Sequence, residues 1–376
     1  RTPRHIPVQV KIDLSMNLPP QPVEANLDLR IAQTVQAIHK ELSFSAFLNY
    51  QSPGGSAAER ETAARWLSAR VPQADVRRLL IYPGNQAILF NALLSLTSPG
   101  DVVLTEALTF PGVKAVAEQL RLRLVGVAMD KDGIRPDAFK AACKQHKPKA
   151  LYLVPTLHNP TTATLGPERR RVIAETIRAQ GLVLIEDDAY GCLEPAVSPI
   201  ANLIPERTYL AVGLSKCIAP ALRISFLLAP DEAAMQRMTS SLQATTLMTP
   251  PLMMALVAHW LKSGVADKII HAIRSEANGR QQLARRILKG FPYAARPNGH
   301  HLWLPLPAVW TRAQFLSRVL QHGLAVVGDD AFAVDDSPTP AVRVSLGAAR
   351  NRAELAQALQ CLADLLRSSV RSGQIV

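Results

Sequence analysis

The sequence predicts an α/β protein, a mainly parallel sheet packed between helices, with a smaller α+β unit after it. Two observations carry that expectation. From about residue 55 to 260, short apolar runs of strand length alternate with longer helical patterns, as in the βα units that build a parallel sheet. Beyond about residue 265 the alternation stops, and one long polar helix leads into strands and helices in a different order.

The strands expected in the first region are Arg78–Ile81, Val102–Thr105, Leu122–Ala128, Ala150–Val154, Leu182–Glu186, Thr208–Val212 and Ile224–Leu228, all short and mostly apolar. Helices are expected between them at Gln86–Leu96, Val113–Leu120, Pro136–Gln145 and Pro167–Gln180. In the second region, residues 268–289 read as the long helix, and His301–Leu306, Ala325–Val327 and Ala341–Leu346 as strands. Helices near 311–322 and 351–368 separate them. The expected organisation is an N-terminal arm over 1–50, a large domain over 51–265 and a small C-terminal domain over 266–376. The arm is expected to join the small domain or to cross between subunits. Length agrees, because 376 residues exceed one ordinary core.

Hydrophobic residues make up 48% of the chain and charged residues 19%, the balance of a well-buried protein rather than a disordered one. The 28 prolines imply short, punctuated connections. No apolar run approaches the ~18 residues of a membrane span, and no signal peptide is seen. Cys143, Cys192, Cys217 and Cys361 are too widely spaced for a zinc site or disulfide framework. Free thiols in a reducing cytoplasm are expected. The net charge of +12 favours anionic partners: phosphate cofactors, carboxylate substrates or nucleic acid. The basic clusters Arg77-Arg78, Arg169-Arg170-Arg171 and Arg285-Arg286 do not interleave with aromatics, so they read as solvated helix faces.

Lys216 carries the chemistry. It lies between two apolar strands, in Gly213-Leu214-Ser215-Lys216-Cys217, and Arg223 follows seven residues later. A lysine whose pKa is lowered attacks a carbonyl to form a Schiff base. An arginine holds phosphate through paired charge-assisted hydrogen bonds. Aldehyde and phosphate occur together in pyridoxal phosphate. The alternative is a surface turn carrying one lysine and one arginine.

Three further segments follow predicted strands. Tyr82-Pro83-Gly84-Asn85-Gln86 opens a helix, and a helix N-terminus holds phosphate; a plain turn is the alternative. Pro155-Thr156-Leu157-His158-Asn159-Pro160 places an amide where ligands of parallel sheets collect, or is an Asn-Pro turn. Glu186-Asp187-Asp188-Ala189-Tyr190 ends an apolar strand in acids that are costly to bury without partners. Asp187 suits a pyridinium proton, and Tyr190 the adjacent ring oxygen. A metal site is not expected, since no histidine lies close by in sequence.

The spacings Asp187-x-x-Tyr190 and Ser215-Lys216-x-x-x-Pro220-x-x-Arg223 resemble the signatures of the fold-type I pyridoxal phosphate enzymes, the class I and II aminotransferases, over about residues 12–365. The resemblance implies the PLP-transferase fold type I: a three-layer large domain on a mainly parallel seven-stranded sheet, plus a smaller α+β C-terminal domain. It implies that Lys216 forms the internal aldimine and, once freed, acts as base and acid, while Asp187 partners the pyridine nitrogen. Asn159 and Tyr190 would bond the ring 3-oxygen. Ser215 and Arg223, with the backbone of Gly84, Asn85 and Gln86, would hold the phosphate. Phe110 would stack on the ring. Arg343, with Asn159, would bind the substrate carboxylate. Tyr50 would reach the neighbouring subunit's phosphate, which requires a homodimer. His158, His300 and His301 are given no role.

This chain departs from the family pattern at four places. Gly213 stands where a hydroxyl residue is usual, Thr162 and Ser225 where glycine is usual, and Val327-Gly328-Asp329-Asp330 replaces a Pro-Gly turn. Two functions remain open. One is a catalytic aminotransferase acting on an amino acid and a 2-oxo acid. The other is the sensor domain of a MocR-type GntR regulator, which Ile12-Asp13-Leu14-Ser15-Met16-Asn17-Leu18-Pro19-Pro20 resembles. DNA contact would then need a winged-helix domain upstream of Arg1.

Overall fold

Seven runs of the sequence pair into one sheet. In the computed structural model, which describes residues 10–335 and 339–372, the strands lie in the order Leu79–Tyr82, Ser225–Leu228, Thr208–Gly213, Val183–Asp187, Ala150–Leu153, Val102–Glu106 and Arg123–Val127. Only Ser225–Leu228 runs antiparallel to its neighbours. Each expected strand is present, with its ends displaced by at most one residue. The first nine residues of the expected arm and the last four of the expected small domain lie outside the described residues, as do 336–338.

Side chains alternate between the two faces of the sheet, as the period of two demands. Leu151, Leu153 and Leu184 meet the helices Pro136–His146 and Pro167–Gln180 on one face. Tyr152 and Ile185 meet the other core, with helices Ala57–Leu67, Asn85–Leu96 and Pro251–Ser263. The result is three layers. Burial on both faces explains why these strands are apolar throughout instead of alternating with polar residues.

The C-terminal part forms a four-stranded antiparallel sheet, ordered Ala294–Ala295, His301–Pro305, Ala341–Ser345 and Val327–Gly328. The strand expected over Ala325–Val327 is split, because its two ends have different partners. Leu324–Ala325 pairs in parallel with Ile12–Asp13, whereas Val327–Gly328 pairs with Ala341–Ser345. The N-terminal segment thus joins the small unit's fold. Helix Leu27–Glu41 packs instead on Pro251–Ser263, where Trp260 Nε1 donates to Thr34 Oγ1 at 2.8 Å. Helix Val265–Ile287 places Ile269 and Ile273 in the large core and Ala284 in the small one. Among the described residues, no helix is long and apolar enough to cross a membrane.

Candidate active site

The strand Val183–Asp187 ends in a run of three acids, and each finds a different partner. Glu186 accepts from the backbone N–H groups of Ile200 and Ala201 at 2.9 and 2.8 Å. Asp188 takes a two-pronged bond from Arg70 at 2.8 and 2.9 Å. Those two are spent on structure. Asp187 accepts at Oδ1 from Asn85 Nδ2 (2.6 Å) and at Oδ2 from the Tyr152 hydroxyl (2.8 Å). Burial raises its pKa, and the two donors oppose that shift. Tyr152 is a site residue the sequence reading missed. It sits mid-strand and looks like core.

Gly84 begins helix Asn85–Leu96 with φ +100°, a conformation that side chains rarely adopt. A Cβ there would lie 2.5 Å from an Arg223 terminal nitrogen, so the missing side chain lets the guanidinium approach the helix N-terminus. Arg223 itself is exposed and donates to Pro83 O at 2.9 Å. Gln86 donates to Gly112 O at 3.2 Å, beside the half-buried Phe110. Ser215 is half-buried next to Lys216. The departure at Gly213 acquires a physical reason. A Cβ there would meet Asn85 Oδ1 at 2.7 Å, so the glycine leaves room for the amide that serves Asp187.

The Lys216 amine donates to Asn17 O at 2.7 Å. Burial, with Arg343 nearby, pushes its pKa down to about 8, against the pull of Asp187. Asn17 is the second missed residue and the most connected. Its Nδ2 lies 2.8 Å from the Tyr190 hydroxyl and 3.0 Å from His301 Nδ1. His301 Nε2 lies 3.1 Å from His158 O, and His300 Nε2 lies 2.5 Å from Lys216 O. All three histidines, left without a role by the sequence reading, are buried, His300 against Lys216, His301 against Asn17 and His158 against His301. Burial lowers the pKa of His158 to about 3 and of His300 to about 4. The neighbouring Glu106 carboxyl, 3.8 Å from His158 Nε2, is pushed up to about 8.

Arg343 is only 6% exposed, which excludes the solvent side of its strand. It donates to Asn159 Oδ1 at 2.7 Å and to Ser15 O, and its guanidinium lies 4.9 Å over the Phe332 ring. Among the described residues its buried Nε has no hydrogen-bond partner. Thr162, where the family pattern has glycine, holds φ +65°, so the left-handed conformation persists without the residue suited to it. Ser225, the other such position, is fully buried, and among the described residues its hydroxyl has no partner. Tyr50 stands apart from the cluster, 81% exposed. The structure therefore brings Asp187, Asn85, Tyr190 and Lys216 into one seam with Asn159 and Arg343, places Gly84 against Arg223, and leaves Tyr50 outside.

Residues 9–362 match the family described as "Aminotransferase class I and II". An uncharacterised HTH-type transcriptional regulator of Bacillus subtilis, YdeF, is 29% identical over 347 residues, which are 92% of this chain and 75% of the regulator. A 2-aminoadipate transaminase of Thermus thermophilus is 27% identical over 331 residues, 85% of this chain and 82% of that enzyme. Among solved structures, the α-aminoadipate aminotransferase LysN from Thermus thermophilus, complexed with N-(5'-phosphopyridoxyl)-L-leucine, aligns with a TM-score of 0.86 at 25% identity. The alignment covers 96% of this chain and 93% of that one.

Proposed function

The chain belongs to the class I and II aminotransferase family, whose cofactor is pyridoxal phosphate, and from that premise we propose that it moves an amino group between an α-amino acid and a 2-oxo acid at the seam around Lys216. One observation carries this reading. The half-buried Lys216, its pKa lowered, is in electrostatic reach of both a buried carboxyl, Asp187, and a buried guanidinium, Arg343. That set fits a cofactor with an aldehyde and a ring nitrogen, next to a substrate carboxylate.

When bound, pyridoxal phosphate supplies the aldehyde that takes up an amine and the protonated ring that accepts electron density. The chain's own groups do the rest. Gly84 and the N–H groups opening helix Asn85–Leu96, with Ser215 and Arg223, hold the phosphate. Asp187, kept in place by Asn85 and Tyr152, holds the ring nitrogen's proton. Asn159 and Tyr190 would bond the ring oxygen, and Phe110 would cover the ring. Arg343 forks onto the substrate carboxylate. Lys216, whose pKa is lowered to about 8 so that the neutral amine is within reach near neutral pH, takes the proton from the substrate carbon and returns it. Tyr50 completes the site of a second copy in a homodimer.

The test is a half-reaction. The cofactor-loaded protein is mixed with a panel of α-amino acids, and release of the matching 2-oxo acid is measured in stoichiometric amount. No release across the panel rejects turnover.

A second reading draws on the regulator relative. Here the same site senses an amino compound in the cytoplasm, within a DNA-binding homodimer. The threading of residues 15–17 through the site favours it, because Ser15 O and Asn17 O contact Arg343 and Lys216. A ligand there would shift the N-terminal segment. Changed DNA affinity of the full-length gene product on amino acid addition, without 2-oxo acid release, is its expected outcome.

A further inference from the structure

The hydrogen bonds around Asn17 have a fixed polarity. A carbonyl oxygen only accepts, so the 3.1 Å contact between His301 Nε2 and His158 O makes Nε2 the protonated nitrogen. Burial holds His301 neutral, far below its ordinary pKa. A neutral imidazole protonated at Nε2 has a lone pair at Nδ1. Nδ1 therefore accepts, and its partner at 3.0 Å is the Asn17 amide nitrogen. This settles which way the amide faces. Its other hydrogen points to the Tyr190 oxygen at 2.8 Å, and Oδ1 turns to Ser345 Oγ at 3.4 Å. The Tyr190 oxygen is thus an acceptor from Asn17, and its own hydrogen must point elsewhere. Among the described residues, that hydroxyl has no other hydrogen bond. Facing the phenol are Arg343, Asp187 and the rings of His300 and His301, at 6.4 and 6.0 Å.

We propose that Asn17 is a positioning residue which, oriented by His301, commits the Tyr190 hydroxyl to donate its hydrogen to the ring oxygen of pyridoxal phosphate. This rests on the reading of Tyr190 given above. It also assigns a task to the N-terminal segment. That segment pairs with the small unit at Ile12–Asp13, while Asn17 bonds a tyrosine of the large sheet's layer. The hydroxyl's direction therefore depends on the two parts being closed on each other.

Two measurements test it. The first is nitrogen-15 NMR of the histidine rings in the ligand-free protein, with His301 assigned by its loss in His301→Gln. The expected form is the Nε2-protonated tautomer; an Nδ1-protonated ring overturns the proposal. The second is a pH titration of the absorbance of the cofactor-loaded protein. A hydrogen donated to the ring oxygen favours its anionic form and lowers the midpoint. Asn17→Leu, which adds no charge, should raise the midpoint by about 0.5 to 1 unit, the worth of one hydrogen bond. In a Tyr190→Phe background the same change should add nothing. An unchanged midpoint, or an equal shift in that background, overturns the proposal, since a merely structural role would act with or without the hydroxyl. If the wild-type protein takes up no cofactor, the proposed function falls and this proposal with it, whereas a wrong tautomer in a protein that binds cofactor removes this proposal alone.

Discussion

On the sheet side of the site, Asp187, Asn85, Gly84 and Lys216 stand at or just beyond the ends of strands. On the seam side, Asn17, His300, His301 and Arg343 arrive from the two ends of the chain and meet across as many as 328 residues of sequence. The first set is held by local geometry: a glycine with positive φ, a helix N-terminus, a strand that stops in acids. The second is held by hydrogen bonds between segments far apart in sequence. The difference assigns different tasks. A rigid sheet edge suits a resident cofactor, and a seam that closes suits a substrate that comes and goes.

Arg343→Ala gives the largest expected separation of the two sides. It removes the proposed fork onto the carboxylate and leaves Asn159 Oδ1 without its donor. KM for amino donors should rise about 100-fold, from the few kcal/mol that a buried charge-assisted contact supplies. Affinity for pyridoxal phosphate should change little. An equal loss of cofactor affinity, measured by equilibrium dialysis, would show that the sides are not separable.

Gly213→Ser tests the sheet side. The new Cβ would sit 2.7 Å from Asn85 Oδ1, so the amide must leave Asp187. Stability should fall by about 1–3 kcal/mol, the usual cost of overpacking. With Asn85→Ala in the background the cost should shrink, because the clash is gone. Additive losses in denaturant melts would break the link between the two positions.

The smallest effect is expected at Tyr50. Its side chain is 81% exposed, so Tyr50→Ala should leave stability within about 0.5 kcal/mol. If a second copy receives it, cofactor affinity should nevertheless drop at concentrations where the protein is dimeric. Unchanged affinity there confines the site to one chain.

This division also explains what was legible in the sequence. The seven strands and four helices of the large layer were readable, because burial on both faces makes apolar runs and the turns between them are local. Lys216, Asp187, Tyr190 and Arg223 carry recognisable spacing for the same reason. Tyr152 was not readable: mid-strand it is indistinguishable from core, and only the register with Val183–Asp187 brings it to the acid. Asn17 and the three histidines were invisible as site residues because their partners lie far off in sequence. The glycine in place of a hydroxyl at 213 showed as a departure, and its reason, the Asn85 amide, appeared only in three dimensions.

The central claim is that the amine of Lys216 captures the cofactor. Stoichiometric pyridoxal phosphate is added across a pH series, borohydride fixes the product, and peptide mass mapping locates the adduct. A single adduct on Lys216 is expected. Its rate of formation should climb with pH and level off above about 8, since the neutral amine is the nucleophile and burial has lowered its pKa to that value. An adduct spread over surface lysines, or one unchanged in Lys216→Ala, would contradict the account.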